Sequence, residues 1–441
     1  MIYDLVIKGG TLVTPSGTSV ADLAISKGRI VAHGRGFTGR QEIDADGRLV
    51  LPGVIDAHTH MALPVGGTRS SDDFHSGTVA AACGGVTTII DFTVGARDLS
   101  LPAAVEERLI TAQKAVIDYA LHAELVGWTA ERVGEIFAVA KAGVRSFGEI
   151  FTTYSESGRR TSLGDLQVAL TAIRKISGTA MVHAEADELV HPEEGPYPPA
   201  RPALAEAVAI AQVGVIAAHT GCCTCIAHVS SAPGLAALFA AQKQGAPILG
   251  ETCPQYLLLD EQVYAREDGH LFSVVPPLRR EEDQQALWSA LETGGLALLS
   301  TDHCPFTRAQ KEVGKDDPTR LPAGLPGIET LLPLIYSAGV DKGRLPLTAL
   351  PRLLSEGPAK TYGLYPQKGT LAIGADADLV VFDPTAKWTI HAERLHMAID
   401  FSPYEGMAMC GAVETTISRG MIIYAKGSFQ GEAGWGRFIT R

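Results

Sequence analysis

Hydrophobic and polar positions change style twice along the chain. Residues 1–52 alternate over short runs, Asp4–Lys8, Thr11–Thr14, Ala21–Ser26, Arg29–His33 and Arg48–Leu51. The turn signals Gly9-Gly10, Ser16-Gly17, Lys27-Gly28 and Asp46-Gly47 separate them, which predicts a small antiparallel sheet. From residue 53 the runs become continuously apolar and alternate with helical stretches. Eight such strands are predicted: Val54–Met61, Val86–Phe92, Tyr119–Leu125, Val144–Phe151, Ala180–Ala186, Cys223–Val229, Ala246–Thr252 and Leu296–Asp302. Strand and helix alternating eight times is what a (β/α)8 barrel of the α/β class requires. After residue 365 the strand-and-turn style returns, over Gly369–Ile373, Ala377–Phe382, Ala412–Ser418 and Met421–Ala425. The expected organisation is a catalytic barrel over 53–364 and one β-sandwich made from both flanks, 1–52 and 365–441.

The C-terminal ends of the predicted barrel strands carry the chemistry. His58 and His60 stand two apart on the first strand and therefore face the same way, so both imidazoles can grip one metal ion. Strand five carries His183, strand six carries His228, and strand eight ends in Asp302. That end of a barrel is where active sites are built, and four histidines and an aspartate there converge on one point. Four imidazoles and two carboxylates would hold two divalent ions, zinc by ligand type, sharing a hydroxide that attacks a carbonyl. Asp302 is then placed to act as general base and to pass the proton to the leaving group.

Composition supports an enzyme of this kind. Of 441 residues 46% are hydrophobic and 20% charged, enough for a large core, and the net charge of −12 argues against nucleic acid or an anionic membrane as partner. The N-terminus lacks the charge pattern of a signal peptide, and no apolar run approaching a membrane span is read, so a cytoplasmic protein is expected. Seven cysteines suit reduced thiols, and Cys222, Cys223 and Cys225 read as small buried hydrophobes.

Longer motifs extend the pattern: Asp56-Ala-His58-Thr-His60, Gly66-Gly-Thr-Arg-Ser-Ser-Asp-Asp-Phe74, Arg201-Pro-Ala-Leu-Ala-Glu-Ala207, Gly250-Glu-Thr-Cys-Pro-Gln-Tyr256, Pro276-Pro-Leu-Arg279, Thr301-Asp-His-Cys-Pro-Phe306 and Gly324-Leu-Pro-Gly-Ile-Glu329. On these the chain resembles the metal-dependent amidohydrolase superfamily, and within it the dihydropyrimidinase/hydantoinase group, over essentially its whole length. The resemblance implies opening of a cyclic amide or ureide to an N-carbamoyl amino acid. It implies that His58 and His60 bind one metal and His183 and His228 the other, with Asp302 as ligand and general base. It also implies that Tyr154 polarises the scissile carbonyl, and that the main chain at Val275 and Ala323 meets the ureide edge. A homo-oligomer, dimer or homotetramer, is expected.

Three positions depart from the family. Ala323 stands where the family has Asn, and Val275 precedes Pro276-Pro277; a backbone contact survives either change. The third lies on strand four, where the family has a carbamylated Lys and this chain reads Gly143-Val-Arg-Ser-Phe-Gly-Glu-Ile-Phe-Thr-Thr-Tyr154. Counting forward from Ser146-Phe147 puts Gly148 at the Lys position, whereas counting back from Tyr154 puts Glu149 there. One extra residue on a strand makes a bulge that re-aims a side chain, and Gly accommodates it. The expectation is that Glu149 supplies the bridging carboxylate and that no carbamylated Lys is involved.

The substrate class stays open between hydantoins or dihydropyrimidines and allantoin, a cyclic imide or a lactam. Dihydroorotate is disfavoured because Met61-Ala62-Leu63-Pro64 follows His60 where an Arg would be needed. A non-enzymatic scaffold is the reading from another class, and the retained ligand set speaks against it.

Overall fold

The computed structural model describes residues 2–65 and 67–441; Met1 and Gly66, with which one quoted motif opens, lie outside the described residues. The eight central strands are Val54–Thr59, Val86–Phe92, Asp118–Leu125, Ser146–Phe151, Thr179–His183, Cys223–Ile226, Ile248–Thr252 and Leu298–Leu299. They are parallel and hydrogen-bonded in sequence order. The ring closes where Thr59 bridges His303, with the His60 amide donating to the His303 carbonyl at 2.9 Å. This is a (β/α)8 barrel.

Several strands end earlier than their apolar runs suggest. Strand six stops at Ile226, before His228, and strand eight at Leu299, before Asp302. His228 (φ 34°) and Asp302 (φ 53°) both adopt left-handed backbone, which leaves the ladder and turns the side chain inward. Apolar content cannot locate that departure, because the residues remain buried after the hydrogen-bond register has ended.

Helices cover the barrel, among them Leu163–Lys175, Ala203–Thr220, Ala232–Lys243 and Glu281–Thr293. Ala203–Thr220 corrects one expectation. With a mean hydropathy of 1.5 over 18 residues it is long and apolar enough to cross a membrane by length and composition. Here it is the crossover between strands five and six, and Gly214 lies so close to Ala241 of the next helix that a Cβ would come within 2.6 Å. Its buried Glu206 accepts from the Ser230 amide and from the hydroxyls of Ser230 and Ser231, tying the helix to the end of strand six.

Both flanks meet in one nine-stranded sheet. Leu49–Pro52 pairs antiparallel with Leu379–Thr389, which joins the first 52 residues to the strands Ala408–Ser418 and Met421–Ala425. Its core gathers Leu5, Ile7, Leu23, Ile25, Val50, Leu379, Val381 and Ile417, all buried. The N-terminal part is mixed rather than purely antiparallel. Ile2–Thr14 is one long strand with an irregularity at Gly9-Gly10, and it runs parallel to both Leu49–Pro52 and the unanticipated strand Thr38–Asp44. Exposed polar residues break the apolar alternation of Thr38–Asp44, which is why pattern alone passes over it. Gly369–Ile373 is not a strand.

A buried cation ties sheet to barrel. The Lys368 ammonium lies 2.5 Å from Asp118 of strand three, 3.1 Å from Asp376 and 2.6 Å from Asp378. These three acids hold the ammonium well above its ordinary pKa against the effect of burial, and Arg419, 3.2 Å from Asp118, and Arg29, 3.5 Å from Asp376, meet the remaining negative charge.

Candidate metal centre

At the C-terminal end of the barrel two triangles of donor atoms stand side by side. In the first, His58 Nε2 and His60 Nε2 are 3.1 Å apart, and Asp302 Oδ1 is 3.3 Å and 3.0 Å from them. In the second, His183 Nδ1 and His228 Nε2 are 3.1 Å apart, and Glu149 Oε1 is 3.6 Å and 3.1 Å from them. Metal–ligand bonds of about 2.0–2.2 Å in a tetrahedron put neighbouring donors about 3.3–3.6 Å apart, so each triangle is one face of a coordination site with room for a further ligand. Glu149 belongs to both groupings, within 4.8 Å of the donors of His58 and His60 as well as those of His183 and His228.

Glu149 reaches this place through a bulge. Phe147 pairs with Ala180 and Ile150 with Val182, so three steps on strand four match two on strand five, and the same slip occurs against Ala123 and Leu125 of strand three. The extra residue aims the Glu149 side chain inward between the triangles. Gly148 fits because a Cβ there would lie 2.5 Å from the Met181 carbonyl oxygen. The slip lies where the comparison with the resembling family puts an extra residue, and it leaves the Glu149 carboxylate beside His183 and His228.

Buried carboxylates orient two of the imidazoles. His58 Nδ1 faces Glu251 Oε1 at 2.8 Å and His183 Nε2 faces Glu185 Oε2 at 2.6 Å, so each ring donates outward and leaves its other nitrogen free toward the centre. Glu185 also accepts from Arg201 at 2.8 Å. Burial opposes charge on all these groups, yet the carboxylates of Glu251 and Asp302 push His58 up to about 10. Burial likewise opposes ionisation of Glu185, which Arg201 and His183 hold down at about 2. Hydrogen bonds from His183 and His228 keep Glu149 well below the usual carboxylate range in spite of its burial. Glu149 and Glu185 thus stand ionised, and an ion bound at His58 would displace the proton that the neighbouring carboxylates hold there. Glu185, Glu251 and Arg201 carry no assigned role in the sequence reading. The signal was present: Glu185 follows His183 by two, the spacing that singles out His58 and His60, and Arg201 and Glu251 lie in the Arg201–Ala207 and Gly250–Tyr256 motifs.

The remaining candidates line one cavity of about 130 Å³, which contains Tyr154, Val275, Ala323, Leu63, Val65, Glu124 and Arg159 beside the ligand candidates. Tyr154, at φ 68°, turns its ring to 5.8 Å from the His183 ring, with the Arg201 guanidinium 4.9 Å over its centre. Burial raises its phenol pKa against the pull of Arg201, so it stays a donor. Val275 and Ala323 sit on facing segments joined through Ser273, whose carbonyl accepts from the Gly324 amide at 2.9 Å. The same Ser273 carbonyl and hydroxyl each accept from the buried Lys311 amine at 2.9 Å.

Residues 49–423 match the Amidohydrolase family. The chain belongs to that family. Among its curated relatives, a D-hydantoinase of Geobacillus stearothermophilus is 38% identical over 453 residues, covering 99% of this chain and 96% of the relative. A D-phenylhydantoinase of Escherichia coli (strain HS) is 39% identical over 457 residues, covering 99% and 98%. The crystal structure of a dihydropyrimidinase from Brevibacillus agri superposes with a TM-score of 0.94 at 37% identity, covering 99% and 98%. The fold of this amidohydrolase is therefore that of its relatives throughout, and its clustered His, Asp and Glu residues could hold metal ions.

Proposed function

We propose that this amidohydrolase opens the ring of cyclic amides and ureides of the hydantoin or dihydropyrimidine type, giving N-carbamoyl amino acids. The observation that carries the reading is the pair of donor triangles with Glu149 within reach of both histidine pairs, together with relatives named for that chemistry. We assign His58, His60 and Asp302 to one ion, His183 and His228 to the other, and Glu149 to both, with zinc favoured by the nitrogen-rich set. Divalent ions bound there supply a nucleophile from water near neutral pH and polarise a carbonyl. Asp302, against His60, takes the proton of the attacking water and returns it to the ring nitrogen as the C–N bond breaks. Tyr154 donates from its protonated phenol to the carbonyl oxygen as charge develops there. The main chain at Val275 and Ala323 holds the ureide edge, so that only the scissile carbonyl meets the ions.

The division into 1–52, 53–364 and 365–441 belongs to this reading, as does a homo-oligomer, dimer or tetramer, in the cytoplasm. Seven unpaired cysteines support a reducing compartment. Allantoin, cyclic imides and lactams remain the alternative substrates for the same centre. The deciding assay reconstitutes the protein with zinc and offers hydantoin, dihydrouracil, allantoin and phthalimide. A carbamoyl product from the first two is expected, and Asp302→Asn should lower its rate by about 10²–10⁴ while at least one ion is retained. A rate within about tenfold of wild type would remove Asp302 from the mechanism.

A further inference from the structure

Apart from the ligand candidates and Tyr154, the cavity is lined by a charged pair, Arg159 and Glu124, beside largely apolar residues. Arg159 Nη2 donates to Glu124 Oε1 at 3.0 Å, and Glu124 Oε2 accepts from the Gly95 amide at 2.7 Å. The guanidinium carbon lies over Phe151, 4.3 Å from the ring centre, and the Phe151 ring is 5.4 Å from that of His183. One aromatic ring thus separates Arg159 from the donor triangles. The Arg159 amide donates to the Tyr154 carbonyl and its carbonyl accepts from Gly127, so the backbone holds the side chain in position. Around it stand Leu63, Val65 and Val275.

A guanidinium offers five donors, and among the described residues Glu124 is the only acceptor its fork meets. Its side chain is 38% exposed, against 7% for Glu124, so the unused edge opens to the cavity while the acid is sealed behind it. An arginine held over an aromatic ring, with one donor fixed by a carboxylate and others free, is preorganised for an oxygen acceptor.

We propose that Arg159 selects ring substituents that end in an oxygen acceptor, a carboxylate or a carbonyl, a few bonds from the ring. The inference rests on the cyclic-amide reading and names its substrate class. A scissile bond at the donor triangles places a substituent beyond Phe151, where the free edge lies. A hydrocarbon tip there strips water from the guanidinium without replacing it, whereas an oxygen restores the lost bond.

The test compares kcat/KM for unsubstituted hydantoin and its 5-isopropyl, 5-benzyl, 5-carboxymethyl and 5-carbamoylmethyl derivatives. The carboxymethyl and carbamoylmethyl compounds are expected to exceed the hydrocarbon ones by about tenfold or more. Carboxymethyl above carbamoylmethyl identifies the anion as the preferred group, and the reverse order identifies the neutral carbonyl. Hydrocarbon substituents matching or exceeding both would overturn the proposal. Arg159→Met should collapse the ratio between the two classes, and an unchanged ratio would overturn it equally. The double variant Glu124→Gln/Arg159→Met avoids stranding a buried carboxylate if the single one fails to fold. Turnover of none of the five counts against the cyclic-amide reading itself. Calorimetric binding of the same compounds then decides the inference, and isopropyl or benzyl binding as tightly as carboxymethyl defeats it.

Discussion

Glu251 Oε1 lies 2.8 Å from His58 Nδ1, and both side chains are completely shielded from solvent. The same oxygen accepts from the His228 amide at 3.3 Å, so one carboxylate positions a residue of each donor triangle. Glu251→Gln is expected to lower metal affinity by about 10- to 100-fold, since partners of this kind typically contribute that much. Titration of the metal-free variant with zinc checks it, and affinity equal to wild type would make Glu251 a packing residue.

Glu149 is an encoded carboxylate, so metal content and rate should not respond to bicarbonate during reconstitution. Glu149→Gln should drop the metal count or abolish turnover. A Gln variant with two ions and a normal rate would reassign the residue.

Gly148 fixes where that carboxylate points. Gly148→Ala brings a methyl within 2.5 Å of the Met181 carbonyl oxygen, and the strand must shift to relieve it. A loss of about 1–3 kcal/mol of stability and a lower metal stoichiometry are expected. An alanine variant with wild-type melting temperature and metal content would show that the bulge tolerates a side chain.

Tyr154→Phe should reduce kcat by about 10²-fold with metal content unchanged, the usual effect of deleting one donor to a developing oxyanion. If KM alone rises, Tyr154 only binds substrate.

Burial lowers the Lys311 amine to about 7, opposed only by the neighbouring Cys304 thiol. In an unfolded chain the same amine titrates near about 10.4. Between these values the unfolded chain carries a proton that the folded protein lacks, so through this group stability rises with pH across that window and is flat below it. Lys311→Met removes the contribution. The stability difference between wild type and variant should then change by up to about 1.4 kcal/mol per pH unit within the window. Denaturant unfolding at several pH values measures it, and parallel curves would refute the assignment.

Much of this was legible in the sequence because strand-end position and side-chain chemistry coincide. Apolar runs located all eight barrel strands, and His58, His60, His183, His228 and Asp302 stand where those runs end. The inserted residue on strand four could be counted between Ser146 and Tyr154 against the spacing of the family the chain resembles. Contacts that cross the barrel left no such trace. Arg201 meets Glu185 and Lys368 meets Asp118 only after the chain has closed on itself. Left-handed backbone at His228 and Asp302 is likewise set by the ladder ending, which apolar content does not record. Thr38–Asp44 escaped because its solvent-facing positions carry the polar residues of a loop.

The nine-stranded sheet has a consequence for the order in which the molecule is made. Pro52, Leu51 and Val50 pair with Leu379, Val380 and Val381. During synthesis the early strands therefore emerge long before their partners. Until then Leu5, Ile7, Leu23 and Ile25 have only part of the core they occupy in the finished protein. The barrel can begin to assemble from neighbouring strands in the meantime, since its pairing follows sequence order. Joining the flanks is a late, long-range event. Agents that slow translation between the barrel and residue 379 should lengthen the interval in which those early strands are open to aggregation or to chaperones.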